Sequence, residues 1–134
     1  MKKIFLLLIV GLFLAACQST PVTGEKVAVG DSSYNNVTPQ ELKTMLEDKD
    51  FVLINVHIPF AGNIAGTDQS IAYDVIEQNL SLLPDKDSKI VLYCRSGHMS
   101  QIAAEKLARL GYTNIWNLNG GMIEWEKQGF DLEK

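Results

Sequence analysis

The sequence is poor in the residues that build metal sites and disulfide frameworks. Its 134 residues include two cysteines and two histidines, and these residues form no C-x-x-C or H-x-x-x-H spacing. Such spacings are typical of protein zinc sites, so we expect no metal in this protein. Internal repeats and low-complexity blocks are also lacking. The chain is therefore expected to form one small domain that is large enough for its own core.

Positive charge is in short supply as well. The chain has 12 basic and 16 acidic residues, which give a formal net charge of −4. An acidic domain is a poor candidate for binding nucleic acid, and its surface is equally unsuited to anionic lipid. We therefore expect no nucleic-acid partner.

The longest apolar run, at residues 4–14, is too short to span a bilayer. It follows the basic start Met1-Lys2-Lys3 and precedes Leu14-Ala15-Ala16-Cys17. This N-terminus resembles the lipobox of bacterial lipoproteins. The resemblance implies a signal peptide at residues 1–16, cleavage before Cys17 and lipid on the Cys17 sulfur, whereas an ordinary secretory signal or an uncleaved anchor would leave Cys17 unmodified. A lipidated chain would be anchored to a membrane of the bacterial cell envelope and would face away from the cytoplasm.

Three segments follow from this interpretation. Residues 17–33 would be the lipidated cysteine and a tether, because they are rich in Ser, Thr, Gly and Val and show no sustained period. Residues 34–134 would form the folded domain. Loss of Lys2 and Lys3 with the signal peptide changes the formal charge from −4 to −6.

Strand and helix patterns alternate along the folded domain. Thr38-Pro39-Gln40-Glu41 is a capping box with proline at the first helical position. The alternation predicts an α/β fold with a parallel sheet that helices cover on both faces. The predicted strands are 34–37 (a short edge strand), 51–56, 71–73, 89–93 and 114–118, and the predicted helices are 39–48, 74–82, 101–110 and one after Gly120-Gly121.

Cys94 follows the predicted strand 89–93 and precedes the predicted helix 101–110. A cysteine in such a turn faces backbone N–H groups and the positive end of a helix, and both favour the thiolate over the thiol. Arg95 adds a positive charge beside it. The alternative is that Cys94 is a small buried hydrophobic residue. The polar residues around it favour the reactive interpretation, at the carboxyl ends of the strands.

The chain from Tyr34 onward resembles a single rhodanese domain, and five segments in order carry the resemblance: V-T-P-Q-E-L, F-V-L-I-N-V-H-I-P, G-N-I-A-G-T, I-V-L-Y-C-R-S-G-H-M-S and W-N-L-N-G-G-M-I-E-W. The resemblance implies a sulfurtransferase in which Cys94 is the nucleophile and carries a persulfide between a small sulfur donor and a thiol acceptor. It implies no metal or organic cofactor. The residues that would bind the substrate are Arg95, Ser96, Gly97, His98, Met99 and Ser100.

Three positions depart from the family pattern. The common D-V-R is Asn55-Val56-His57, the common G-H-I is Gly62-Asn63-Ile64, and the frequent second basic residue of the loop is Met99. These departures weaken the assignment of thiosulfate as the donor more than they weaken sulfur transfer itself. A polysulfide or a small persulfide carries less charge and stays compatible with the loop.

The two histidines have two interpretations each. His98 would be a charge partner of the persulfide, or it would point to solvent. His57 would replace a structural arginine, or it would be an accessory residue of the site because it follows a strand at its carboxyl end.

Two other functions compete with sulfur transfer. A cysteine phosphatase also places a thiolate in an anion-binding loop, but it needs an arginine six positions after the cysteine, where this chain has Ser100. A non-catalytic persulfide carrier or an envelope-anchored binding module is the second competitor. The sequence identifies no protein partner.

Overall fold

A computed structural model describes residues 20–134. The proposed signal peptide and Cys17 lie outside the described residues. Within this range, no helix is both long enough and apolar enough to cross a membrane. The strands are β1 (Glu25–Val29), β2 (Ser32–Val37), β3 (Val52–Asn55), β4 (Gln69–Ser70), β5 (Ile90–Tyr93) and β6 (Ile115–Leu118), and the helices are α1 (Pro39–Met45), α2 (His98–Arg109) and α3 (Gly121–Lys127), with 3₁₀ turns at Leu46–Asp48 and Ile76–Leu82.

The six strands form one sheet in the order β1-β2-β6-β5-β3-β4. β1 pairs with β2 in antiparallel orientation, and the remaining pairs are parallel. The predicted α/β class is confirmed, and the sheet is mixed rather than wholly parallel.

Helices cover both faces of the sheet, as predicted. Strand residues alternate between the two faces, so Ile90 and Leu92 of β5 pack on the side of α2 while Val91 and Tyr93 pack on the side of α1 and α3. Each face has its own apolar core. Central strands with both faces buried explain why their sequences are nearly continuous apolar runs.

The predicted tether at residues 17–33 is wrong in its second half. Glu25–Val29 forms a strand that pairs along its full length with Ser32–Asn36, and Gly30 supplies the left-handed turn at φ +58°. Residues 34–37 are therefore not an edge strand, because β1 covers that edge. Val29 is buried and Val27 partly buried. The alternation of polar and apolar residues in Glu25–Val29 covers too few residues to distinguish a strand from a polar linker.

Two predicted helices and one predicted strand between residues 39 and 82 differ from the structure. The capping box is present, with Glu41 N–H donating to Thr38 Oγ1 at 3.2 Å, but α1 ends at Met45 and a 3₁₀ turn completes the predicted segment. The predicted strand 71–73 lies two residues earlier, at Gln69–Ser70. The predicted helix 74–82 is a kinked 3₁₀ segment, where Asn79 donates its side-chain N–H to the Val75 carbonyl at 2.8 Å and competes with the regular helical bonds.

Candidate active site

Cys94 is the first residue after β5, at the carboxyl edge of the sheet. Its relative exposure is 1%. The Gly97 N–H donates to Cys94 Sγ at 3.1 Å, and the Ser100 hydroxyl donates to the same sulfur at 3.4 Å. Both donors favour a negatively charged sulfur, because hydrogen bonds to an ionised acceptor are the stronger ones.

The loop is tight because α2 begins early. The helix starts at His98, three residues before the predicted start at Gln101, and Gly97 caps it with φ +93°. This left-handed conformation strongly favours glycine. The early start brings both Gly97 and Ser100 to the sulfur.

The N-terminus of α3 holds the Cys94 loop in place through backbone hydrogen bonds. The N–H groups of Met122 and Ile123 donate to the carbonyls of Cys94 and Arg95, both at 2.9 Å. Gly121 makes this approach possible, because a Cβ there would lie 2.4 Å from the Cys94 carbonyl oxygen. The first N–H groups of α3, which have no partners inside the helix, thus fix the two residues at the base of the loop.

The structure places the other predicted loop residues in two environments. Met99 is partly buried and packs against the apolar core that contains Cys94. Arg95, Ser96 and His98 are exposed. The loop therefore presents polar and charged side chains outward, above a sulfur that is enclosed.

His57 lies one residue beyond the last backbone contact between β3 and β5. In these parallel strands Asn55 pairs with Tyr93, and the Val56 N–H donates to the Tyr93 carbonyl at 2.9 Å. Burial lowers the pKa of His57 below its usual value, and the nearby charge of Arg95 lowers it further. The strand pairing thus brings the backbone just before His57 next to the residue that precedes Cys94.

A buried polar network beside the site was missed by the sequence analysis. The fully buried Tyr93 hydroxyl accepts from the Ile64 N–H at 3.1 Å and contacts Thr67 Oγ1 at 2.7 Å. Asn55 Nδ2 donates to the Gly62 carbonyl at 3.0 Å. One signal was available: a tyrosine in a buried aliphatic strand needs a partner for its hydroxyl. This network connects the residue before Cys94 to the loop after β3.

The family profile described as Rhodanese-like domain matches residues 38–128. The chain belongs to the rhodanese-like family. The matched range contains Cys94, its whole loop and the supporting turn before α3, whereas β1 lies outside it.

Relatives extend this assignment. A protein of Allochromatium vinosum named sulfurtransferase is 30% identical over 105 residues, which are 73% of this chain and 94% of the relative. An adenylyltransferase and sulfurtransferase of Candida albicans is 33% identical over 105 residues, but this chain spans only 24% of that protein. The crystal structure of a rhodanese-related protein from Thermoplasma volcanium matches with a TM-score of 0.63 and 25% identity, over 72% of this chain and 95% of that one. These names support sulfurtransferase activity at the level of the family.

Proposed function

We propose that this protein is a sulfurtransferase in which Cys94 carries a sulfane sulfur as a persulfide from a small donor to a thiol acceptor. The observation that supports the proposal most directly is the pair of hydrogen bonds to Cys94 Sγ from Gly97 and Ser100. These hydrogen bonds stabilise the Cys94 thiolate before it attacks the donor, and again when the acceptor releases it from the persulfide.

The chemistry has two steps. Cys94 thiolate attacks the sulfane sulfur of the donor, and the remainder of the donor leaves with the electron pair of the broken bond. A thiol then takes the outer sulfur of the persulfide, and Cys94 returns to its thiolate. Because a covalent intermediate forms between the reactions of the two substrates, we expect ping-pong kinetics.

We favour a polysulfide or a small persulfide over thiosulfate as the donor. Met99 occupies the loop position where a second basic residue is frequent in the family, and its side chain packs into the apolar core. Arg95 is then the fixed positive charge of the loop. A dianionic donor gains less from one positive charge than from two.

We place this activity in the bacterial cell envelope, anchored through lipid on Cys17. Val22 already packs against the core on the side of α1 and α3. Four residues lie between it and Cys17, so the fully extended connection of five Cα–Cα steps is at most about 18 Å long. The domain would therefore lie close to the membrane surface. Labelling with a fatty-acid analogue tests the anchor: label should enter the wild type and not Cys17→Ser, and equal labelling of both would contradict it.

Intact mass spectrometry tests the sulfur chemistry. After incubation with polysulfide, the wild type should gain the mass of one sulfur atom, and a thiol should remove it again. Cys94→Ser should gain none, since Cys17 is blocked by lipid in the mature protein. Failure of the wild type to take sulfur from polysulfide, a small persulfide and thiosulfate would contradict the proposal.

A non-catalytic persulfide carrier is the second candidate. One observation favours it: the exposed fraction of Cys94 is only 1%, so an acceptor reaches the sulfur with difficulty. Steady-state turnover separates the two functions, because a carrier loads once and releases its sulfur slowly, whereas an enzyme cycles many times.

A further inference from the structure

The first described residues lie at the amino ends of the central strands. Thr20 and Val22 line one cavity together with Asp50 and Lys89. Lys89 directly precedes β5, Asp50 lies two residues before β3, and their side chains form an ion pair of 3.2 Å. The chain therefore enters the domain beside the edge of the sheet where β3 and β5 begin.

Cys94 lies at the opposite edge of the sheet. It follows the last residue of β5, and β3 ends beside it, because the Val56 N–H donates to the Tyr93 carbonyl at 2.9 Å. The five residue steps from Lys89 to Cys94 span about 16 Å along an extended strand. The entry of the chain and the reactive sulfur are thus separated by the full length of β5.

The proposed lipid anchor limits how the domain can lie on a membrane. Three Cα–Cα steps separate Cys17 from Thr20, so the two residues are at most about 11 Å apart. If the Cys94 edge faced the bilayer, Thr20 would be raised above the surface by roughly the length of β5, about 16 Å. The connection is too short for this arrangement, whereas it permits orientations in which the amino ends of the strands are nearer the membrane.

We propose that the edge of the sheet that holds Cys94 faces away from the membrane, and that Cys94 therefore takes sulfur from water-soluble donors and passes it to water-soluble acceptors. The inference rests on the proposed lipid anchor and the proposed sulfur transfer, and it narrows the substrates of that site. A donor or acceptor whose reactive sulfur is confined to the headgroups of the same bilayer would not reach Cys94.

An exposed aromatic residue at the same edge would favour the opposite orientation. Phe60, in the loop after β3, has an exposed fraction of 63%, and apolar side chains of this kind insert into the boundary between headgroups and acyl chains. Insertion of Phe60 would bring the Cys94 edge onto the lipid, which the short connection to Cys17 does not allow. We therefore expect Phe60→Ser to leave the orientation unchanged.

Fluorescence quenching tests the orientation without any sulfur chemistry. Two variants of the full-length lipoprotein carry one reporter cysteine each in the Cys94→Ser background: Asp87→Cys before β5 and Ser96→Cys in the Cys94 loop, both at exposed positions. Each is labelled with the same fluorophore and reconstituted into phosphatidylcholine vesicles that contain a lipid with a nitroxide on its headgroup. We expect the nitroxide lipid to reduce the emission from residue 87 and to leave that from residue 96 nearly unchanged. The reason is that a nitroxide quenches only at short range and the two labels are separated by the length of β5.

A lengthened connection is the matched variant for sulfur transfer. Twelve Gly and Ser residues inserted between Ser19 and Thr20 add an average reach of about 20 Å, which is enough to turn the Cys94 edge toward the bilayer. Protein loaded with sulfur on Cys94 is offered glutathione, or a phospholipid with a thiol headgroup in the same vesicle, at a low vesicle concentration. The insertion should raise the rate with the thiol lipid and leave the rate with glutathione unchanged.

The outcomes of these experiments are distinct. Equal quenching of the two labels, or stronger quenching at residue 96, would overturn the proposed orientation. Equally fast transfer to the thiol lipid by the wild type and the lengthened variant would also overturn it. Absence of lipid on Cys17 would overturn the anchor and this inference together. If Cys94 accepts sulfur from no donor, the proposed sulfur transfer fails, yet the quenching of the two labels still decides which edge faces the membrane.

Discussion

Asn55 Nδ2 donates a hydrogen bond of 2.9 Å to Asn63 Oδ1. The two residues belong to different motifs, and each departs from the family pattern, D-V-R in one case and G-H-I in the other. The two departures therefore meet in one contact: an amide pair stands where the common pattern has an acid and a histidine. Because the pair is satisfied and uncharged, the departures do not by themselves indicate that the site has decayed.

We predict that Asn55→Asp destabilises the protein and that Asn63→His in the same chain restores part of the loss. A carboxylate at residue 55 could not donate the two hydrogen bonds that the amide makes, to the Gly62 carbonyl and to Asn63 Oδ1. Its negative charge would instead be buried against these two oxygens. We expect the free energy of unfolding to fall by about 1–3 kcal/mol or more. Urea unfolding of both single variants and the double variant gives the coupling energy, which should be about 0.5–3 kcal/mol for groups in contact. Additive losses would contradict a direct interaction.

Gly121, which packs closely against the Cys94 carbonyl, gives a second prediction. We expect Gly121→Ala to reduce both stability and sulfur transfer, because the new Cβ would lie 2.4 Å from the Cys94 carbonyl oxygen and the residue has φ +59°. Gly129→Ala is the matched control. It has φ +83° but nothing within 4 Å of its added Cβ, so it carries only the cost of a left-handed conformation, about 1–2 kcal/mol.

Thermal unfolding and sulfur transfer are measured for both variants. Gly121→Ala should lose more stability than Gly129→Ala, and it alone should lose activity at temperatures where both are folded. If the two variants lose equal stability and keep equal activity, the close approach at Gly121 does not position the Cys94 loop.

The sequence predicted most of the fold and only part of the site, for physical reasons that particular residues illustrate. The buried strands β3, β5 and β6 are apolar runs, and the Thr38–Glu41 capping box is local, so both could be read directly. The hairpin of β1 and β2 was not predicted, because its first strand is a short segment with polar residues that resembles a linker in the sequence. The contact between Asn55 and Asn63, and the shielded Nδ1 of His57, arise from the path of a loop, which no local pattern encodes.

His57 also predicts a pH dependence of stability. Its pKa is lower in the folded protein than in the unfolded chain, where it has the ordinary value, because burial and the charge of Arg95 disfavour the imidazolium. The unfolded chain therefore binds more protons in the pH range between the two pKa values. Stability should fall as pH decreases below the ordinary histidine value, and it should level off below the folded pKa. The slope of the melting temperature between about pH 7 and 5 should be smaller for His57→Gln. Equal slopes would show that His57 does not contribute.

We expect the choice of sulfur donor to depend on residue 99. We predict that the wild type turns over thiosulfate slowly and takes sulfur more readily from polysulfide, and that Met99→Arg raises the specificity constant for thiosulfate selectively. A charge-assisted hydrogen bond to an anion contributes about 1.5–3 kcal/mol, which corresponds to roughly ten- to a hundredfold in rate.

Met99→Leu is the control for packing in this experiment. Met99 contacts the core that contains Cys94, and leucine preserves its apolar volume without adding charge. The ratio of the specificity constants for thiosulfate and polysulfide should therefore change in Met99→Arg and stay constant in Met99→Leu. A wild type that already prefers thiosulfate would refute the explanation from charge, and so would an arginine variant with an unchanged ratio. Equal changes in both variants would instead attribute donor choice to the shape of the loop.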